Sequence, residues 1–383
     1  MFASPDQPRF DHDVLTGESK GLLIEESRTN LIAYSQQIEK QSASSTDHNV
    51  WIVSGSSSNA LLDLNASIAP DGTLSASKIY ADIPSKSCTI YQQVYTTDTT
   101  PETLTFSVFA KAGQANRYLQ FFLGSGDVDG NPFVNFNLFD GTVSRDDDLI
   151  GSIVDVGNGW YRCIITFTTT SSIVTFNPVI CLIDDDNAGR AVSMIGDGYS
   201  GIYIWGAQLE EGSFATSYIK TSGASATRSA DNASITGENF SSWYRQDEGS
   251  FEIDASLLSV SQSQTGRFIT ISDGSTNNRI QIDNNNTTLN FYIAKNGSAQ
   301  ALSQWNRESV LDYKFAFALK ENDVAFCKNN ESIFSDSSVN LFFANKLDIK
   351  NENDGLEQLN GHIKKLSYYP QRLTNEQLQQ LTK

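Results

Sequence analysis

Beyond residue 50 the chain alternates between apolar and polar positions. In TLTFSVFAKAG, Leu104, Phe106 and Val108 fall on one face of an extended segment, with Thr105 and Ser107 on the other. GWYRCIITFTT and GIYIWGAQLE read the same way, as half-buried or fully buried strands. Turn signals separate these runs: PDGT at Pro70–Thr73, DVDGNP at Asp127–Pro132, FDGT at Phe139–Thr142 and GNG at Gly157–Gly159. Short strands at this spacing predict a sandwich of antiparallel sheets.

From Thr221 to Glu248 the chain turns polar and rich in small residues, as TSGASATRSADNASITGEN shows. This stretch lacks Pro and offers Ile235 and Phe240 as anchors, so it reads as an ordered connector. Strand patterning then resumes in GSFEIDASL, GRFITISDG, NRIQIDN, TLNFYIAKNG and YKFAFALKENDVAFCKN, the last a hairpin turning near Asn322–Asp323. The chain closes on a helix. Thr374 is its N-cap, Gln377 the capping-box partner, and Leu373 and Leu378 hold the staple positions. The expected fold is all-β: two antiparallel β-sandwiches of jelly-roll type in tandem and a short C-terminal helix. The expected divisions are an N-terminal segment 1–35, a first sandwich 36–225, a connector 226–247 and a second sandwich 248–383.

Composition narrows the function. At 383 residues, two domains are the natural reading, and 39% hydrophobic residues suffice for ordinary cores. A net charge of −18 would repel phosphate backbones, which argues against nucleic-acid partners. Cys88, Cys163, Cys181 and Cys327 show no CxxC spacing, as expected of free thiols in a reducing compartment. MFASPDQPRF has no basic and apolar leader pattern, and no apolar run approaches a membrane span.

Several stretches carry a resemblance. PRFDHDVLTGESKGLLIEESRTNLI (Pro8–Ile32), APDGTLSASKI (Ala69–Ile79), VGNGWYRCIIT (Val156–Thr166), YIWGAQLEEGSFATSYI (Tyr203–Ile219) and GHIKKLSYYPQRLTNEQLQQLT (Gly361–Thr382) resemble segments of bacteriophage virion proteins, especially tail-fibre and other appendage proteins. The middle region is similar to jelly-roll carbohydrate-binding modules, and the region after TRSADNASITG (Thr227–Gly237) resembles concanavalin/laminin-G-like lectins. The resemblance implies a non-catalytic virion protein, assembled in the host cytoplasm as a homo-oligomer, a trimer by analogy. Its partners would be other virion proteins and host-surface glycans. A capsid head fibre or decoration protein is the alternative, and a polysaccharide depolymerase a third.

Catalytic motifs are missing: there is no GxSxG, HExxH, Walker A or GxGxxG pattern, and His12, His48 and His362 are scattered. The five tryptophans lie in or near strand-like runs, so packing is their expected role. The glycan candidates are Tyr91 and Gln92, Tyr118 and Gln120, and, in DGSTNNR, Asp273, Asn277 and Asn278. No cofactor is expected beyond a structural calcium, for which Asp127, Asp129 and Asn131 in DVDGN are weak candidates without the EF-hand spacing. Finally, KGLLIEESRTNLI (Lys20–Ile32) mimics an acid–base cluster. It reads better as a clip, in which Arg28 pairs with Glu210 or Glu211 of GAQLEEG and fastens the N-terminal segment to the first sandwich.

Overall fold

The structure, a computed structural model, describes residues 7–38, 50–53, 60–82, 85–95, 101–113, 118–124, 128–147, 149–169, 175–258, 266–284, 287–308, 311–349 and 359–383. Apart from one- and two-turn helices the regular elements are strands, as the alternation predicts. The chain forms two compact units. One is Arg28–Arg228, and the other is built from the chain on either side of it.

In the first unit, one six-stranded sheet runs in the order Thr142–Asp147, Phe133–Asn137, Tyr118–Leu123, Pro178–Ile183, Cys88–Gln92, Trp51–Val53. The second has the order Ile150–Gly157, Trp160–Thr168, Thr103–Ala112, Gly201–Glu211, Leu74–Ala81, Ala60–Ile68. All pairings are antiparallel, and the predicted turns at 70–73, 139–142 and 157–159 each close a hairpin. Leu104, Phe106 and Val108 point into the core as their alternation requires. Phe106 of one sheet meets Phe121 of the other with ring centroids 5.1 Å apart. Burial of such side chains, at about 1.5–3 kcal/mol each, holds the two sheets face to face.

Trp51, Trp160 and Trp205 are buried. Trp243 and Trp305 pack against the core of the second unit. The four cysteines are buried free thiols.

The second unit pairs a seven-stranded sheet with a six-stranded one. The former has the order Arg9–His12, Ser19–Ile24, Gly361–Tyr369, Glu248–Leu257, Asp312–Lys320, Val324–Lys328, Phe334–Asp336. The latter has the order Ala233–Thr236, Lys346–Ile349, Gly266–Ser272, Arg279–Asn284, Thr288–Lys295, Ser298–Asn306. Phe251, Phe291, Phe315 and Phe317 fill the space between them. On the outer face of the larger sheet, Ala316, Ala318, Ala325 and Cys327 leave room for Leu373 and Leu378 of the C-terminal helix segment. That helix, Asn375–Leu381, carries the predicted capping box, with Thr374 and Gln377 bonded reciprocally. Among the described residues no helix is long and apolar enough to cross a membrane.

The N-terminal segment departs from expectation. Instead of fastening to the first sandwich throughout, its strands Arg9–His12 and Ser19–Ile24 extend a sheet of the second unit. Polar pairing explains this. Arg9 bonds Glu25, which is 1% exposed, at 2.6 Å, and also bonds Asp231. Asp11 meets His362 at 3.0 Å, and Glu26 and Asn360 bond each other reciprocally. At Gly21, with φ +95°, an added Cβ would lie 2.3 Å from the Ile363 carbonyl oxygen, so only glycine admits the close approach.

From Arg28 onward the chain joins the first unit. There Asn30, not foreseen as an anchor, bonds the Ala207 and Ile219 carbonyls and accepts from Leu209 N. Arg28 is buried with its guanidinium over the Phe214 ring at 4.9 Å. The Glu210 carboxylate accepts from Thr216 N, Thr216 Oγ1 and Gln208 Nε2. Glu211, at the strand end, is exposed.

Candidate functional site

The sequence candidates fall into two groups, which the two units treat differently. In the first unit, Tyr91, Tyr118 and Gln120 share the outer face of one sheet, but this face is covered. Residues 184–194 cross it, and Ala188, Ala191 and Val192 pack with Phe122, Phe133, Val179 and Cys181. Gln120 is fully buried. Its Nε2 bonds Asn135 Oδ1 at 2.7 Å and Gly189 O at 3.0 Å, and its Oε1 accepts from Ala191 N at 2.7 Å. Asn135 Nδ2 bonds the carbonyls of Asp186 and Ala188 at 3.0 and 2.8 Å. Arg190 lies over the Phe122 ring and Arg145 over Phe133.

Gln92 is 1% exposed and accepts from Ala33 N. Gln92 and Gln120 are therefore buried within the unit rather than presented to a ligand, a correction to their expected placement, and the chain itself occupies the whole Gln120 amide. Tyr91 and Tyr118 are half-buried in the same apolar cluster.

In the second unit the end loops of the sandwich meet around an open cleft of about 460 Å³, lined by Gln246, Asp273, Asn278, Lys295, Asn296, Glu321 and Leu341–Phe343. Three of the contributing segments are hairpin turns. The turn 273–278 links Gly266–Ser272 to Arg279–Asn284, Asn296–Gly297 links Thr288–Lys295 to Ser298–Asn306, and Glu321 lies between Asp312–Lys320 and Val324–Lys328. Asn296 and Gly297 have φ of 52° and 75°, the left-handed pair that a two-residue hairpin turn demands.

Most polar lining groups bond within the protein. Asp273 accepts from Ser275 N at 2.9 Å, Ser275 Oγ at 2.7 Å and Asn278 Nδ2 at 2.7 Å. Asn278 Oδ1 in turn accepts from Asn296 N at 2.8 Å, tying the first turn to the second. Burial pushes the Asp273 carboxyl up, yet the bonds from Ser275 and Asn278 outweigh it and hold the group below the usual carboxylate range. Gln246 clamps Ala344, donating to its carbonyl at 2.8 Å and accepting from its N–H at 2.9 Å. Glu321 accepts from Leu341 N at 2.8 Å.

These bonds fix the strap that carries Phe342 and Phe343, whose second ring is 69% exposed. The chemical content is an aromatic face, a cation, amides and an acceptor at the mouth of a cleft. Such a mixture suits a polyhydroxylated ring with one apolar side.

Of the sequence candidates here, Asp273 and Asn278 line the cleft as framework. Asn277 is exposed beside it, its carbonyl accepting from Gly297 N at 2.9 Å. Phe343, Lys295, Gln246 and Glu321 escaped sequence reasoning. The adjacent aromatics Phe342 and Phe343 between Asn340 and Asn345 in NLFFANK were the available signal.

For calcium, Asp127 lies outside the described residues, whereas Asp129 and Asn131 are exposed loop residues. Among the described residues no three His, Cys, Asp or Glu side chains converge as a metal site.

No protein-family model matches the chain, and no curated protein matches it. Among solved structures, the CBM40 module of the Ruminococcus gnavus IT-sialidase is similar at 10% identity, covering 39% of this chain and 92% of that one, with TM-score 0.31. The same module bound to alpha2,6 sialyllactose gives 9% identity, 40% and 93% coverage and TM-score 0.31. Domains LG4-5 of the mouse laminin alpha1 chain give 9% identity over 78% of this chain and 88% of that one, with TM-score 0.28. The all-β architecture described above rests on the strand pairings themselves.

Proposed function

We propose that this chain is a non-catalytic glycan-binding protein whose binding site is the end cleft of the second unit. The observation that carries the reading is the exposed Phe343 ring set beside the polar lining of that cleft. An aromatic face packs on the C–H side of a pyranose while neighbouring amides and charges take its hydroxyls.

Asp273, held low by its hydrogen bonds, is poorly suited to act as a general acid in this cleft. The sequence resemblance extends the proposal to a component of a bacteriophage virion, a tail fibre or spike displaying the cleft to host-surface sugars. In that setting a homo-oligomer, a trimer by analogy, would make weak sites effective through multivalency.

A glycan array probed with the purified full chain tests the reading. Binding that Phe343→Ala weakens supports it. No binding to any glycan, or new reducing ends released from host polysaccharide, overturns it. Immunogold labelling of intact particles tests the virion placement, and label confined to the head would replace the tail-fibre assignment.

A further inference from the structure

The polar groups of the cleft differ in how far they are already engaged. Asp273, Asn278 and Gln246 spend their side-chain oxygen or nitrogen atoms on one another or on backbone. Glu321 holds Leu341 N. The side chains of Lys295 and Asn296 have no hydrogen bond or ion pair among the described residues.

Lys328, Lys346, Lys364 and Lys365 of this unit each meet a carboxylate within 2.9 Å, whereas Lys295, like the exposed Lys320, meets none among the described residues. Lys295 is half-buried at the end of Thr288–Lys295, where backbone pairing with Ser298 fixes its origin. Its neighbour Asn296 is held by the bond from its own N–H to Asn278. Two adjacent donors, one of them cationic, therefore face the cleft from one hairpin turn, while the carboxylates of Asp273 and Glu321 are turned to donors of the protein itself.

Resting on the glycan reading of this cleft, we propose that its ligand is an acidic sugar, a uronic or sialic acid residue. Its carboxylate is received by the Lys295 ammonium and the Asn296 amide, with the ring against Phe343. An ammonium–carboxylate hydrogen bond is stronger than a neutral one, and the amide beside it gives the carboxylate a second donor. The chain as a whole, at −18, gives no long-range attraction to anions, so selectivity would have to come from this local pair.

The test is an array that displays uronic- and sialic-acid-terminated glycans beside their neutral counterparts, probed with the full chain. The wild type is expected to favour the acidic member of a pair by about tenfold. Lys295→Met is expected to abolish that preference while leaving weak binding that Phe343→Ala removes, and Lys295→Arg to retain it. Equal binding of acidic and neutral partners by the wild type overturns the proposal but leaves the glycan reading standing. So does a preference that survives Lys295→Met. Absence of binding to either set overturns both.

Discussion

Two regions carry the same residue types and end in opposite states. On the first unit's sheet face, aromatics and amides lie together, but residues 184–194 pack over it and occupy the Gln120 and Asn135 amides. At the end of the second unit, amides again grip backbone, yet they hold the rim of a cleft and leave it open. The buried amides in the first case replace water with the chain itself. In the second they hold a candidate site in one shape, which would lower the ordering cost of binding. An aromatic beside an amide is thus no indicator of a binding surface until the intervening loop is located.

The comparison can be broken or sharpened experimentally. Asn135→Ala has the largest expected effect. It strands the buried Ala188 carbonyl and one N–H of the Gln120 amide, while the Asp186 carbonyl keeps its bond from Ser144, at about 2 kcal/mol by urea denaturation, with glycan binding unchanged. If that variant instead acquired new glycan binding, the covered face would be a second, occluded site.

Phe343→Ala reverses the pattern. Stability is expected to shift by less than about 0.5 kcal/mol, since the ring is 69% exposed. Affinity should fall by about tenfold, or ~1.4 kcal/mol, in calorimetric titration. Gln246→Ala lies between the two. Losing both bonds to Ala344 should cost about 1 kcal/mol in melting experiments and weaken binding about threefold through a looser strap.

The smallest effect is the pH dependence of Asp273. Its folded carboxyl titrates below the ordinary value of about 3.9. Its contribution is therefore complete above about pH 4 and is lost as pH falls through the folded value. Asp273→Asn should flatten the thermal stability of the second unit across that acidic window and lower it slightly at neutral pH, where the wild type has the full contribution. A wild-type profile already flat there would show that the 273–278 turn gains nothing from the ionised form.

Much of the architecture was legible from period-two alternation, because a strand buries alternate residues whatever its partners are. Leu104, Phe106 and Val108 face the core as read, and the turn at Asn322–Asp323 closes the expected hairpin. The capping box at Thr374 is equally local, being set by residues three apart. The clip was harder to read. The two halves of KGLLIEESRTNLI go to different units, and Asn30 is an anchor in the second half. No local pattern distinguishes a carboxylate that will meet Arg9 from one that will meet Asn360, because the partners lie 16 and 334 residues away.

The candidate site divides along the same line. DGSTNNR was recognisable as a polar turn, since Asp, Ser and Asn bond neighbouring backbone wherever they occur, and Asp273 and Asn278 do so. That this turn would face Lys295, Glu321 and Phe343 was decided only by the tertiary structure. The turns at 273–278 and 296–297 share an end because their strands pair in register, whereas Glu321 and Phe343 are brought there from a hairpin of the other sheet and from a strap. Tertiary structure also decided that Gln120 would be sealed while Phe343 stayed exposed. By itself the sequence determined which segments are strands and which are turns, through side-chain periodicity and local hydrogen bonding. Which turns share an end, and which face its own chain covers, depended on long-range packing that no short window of residues contains.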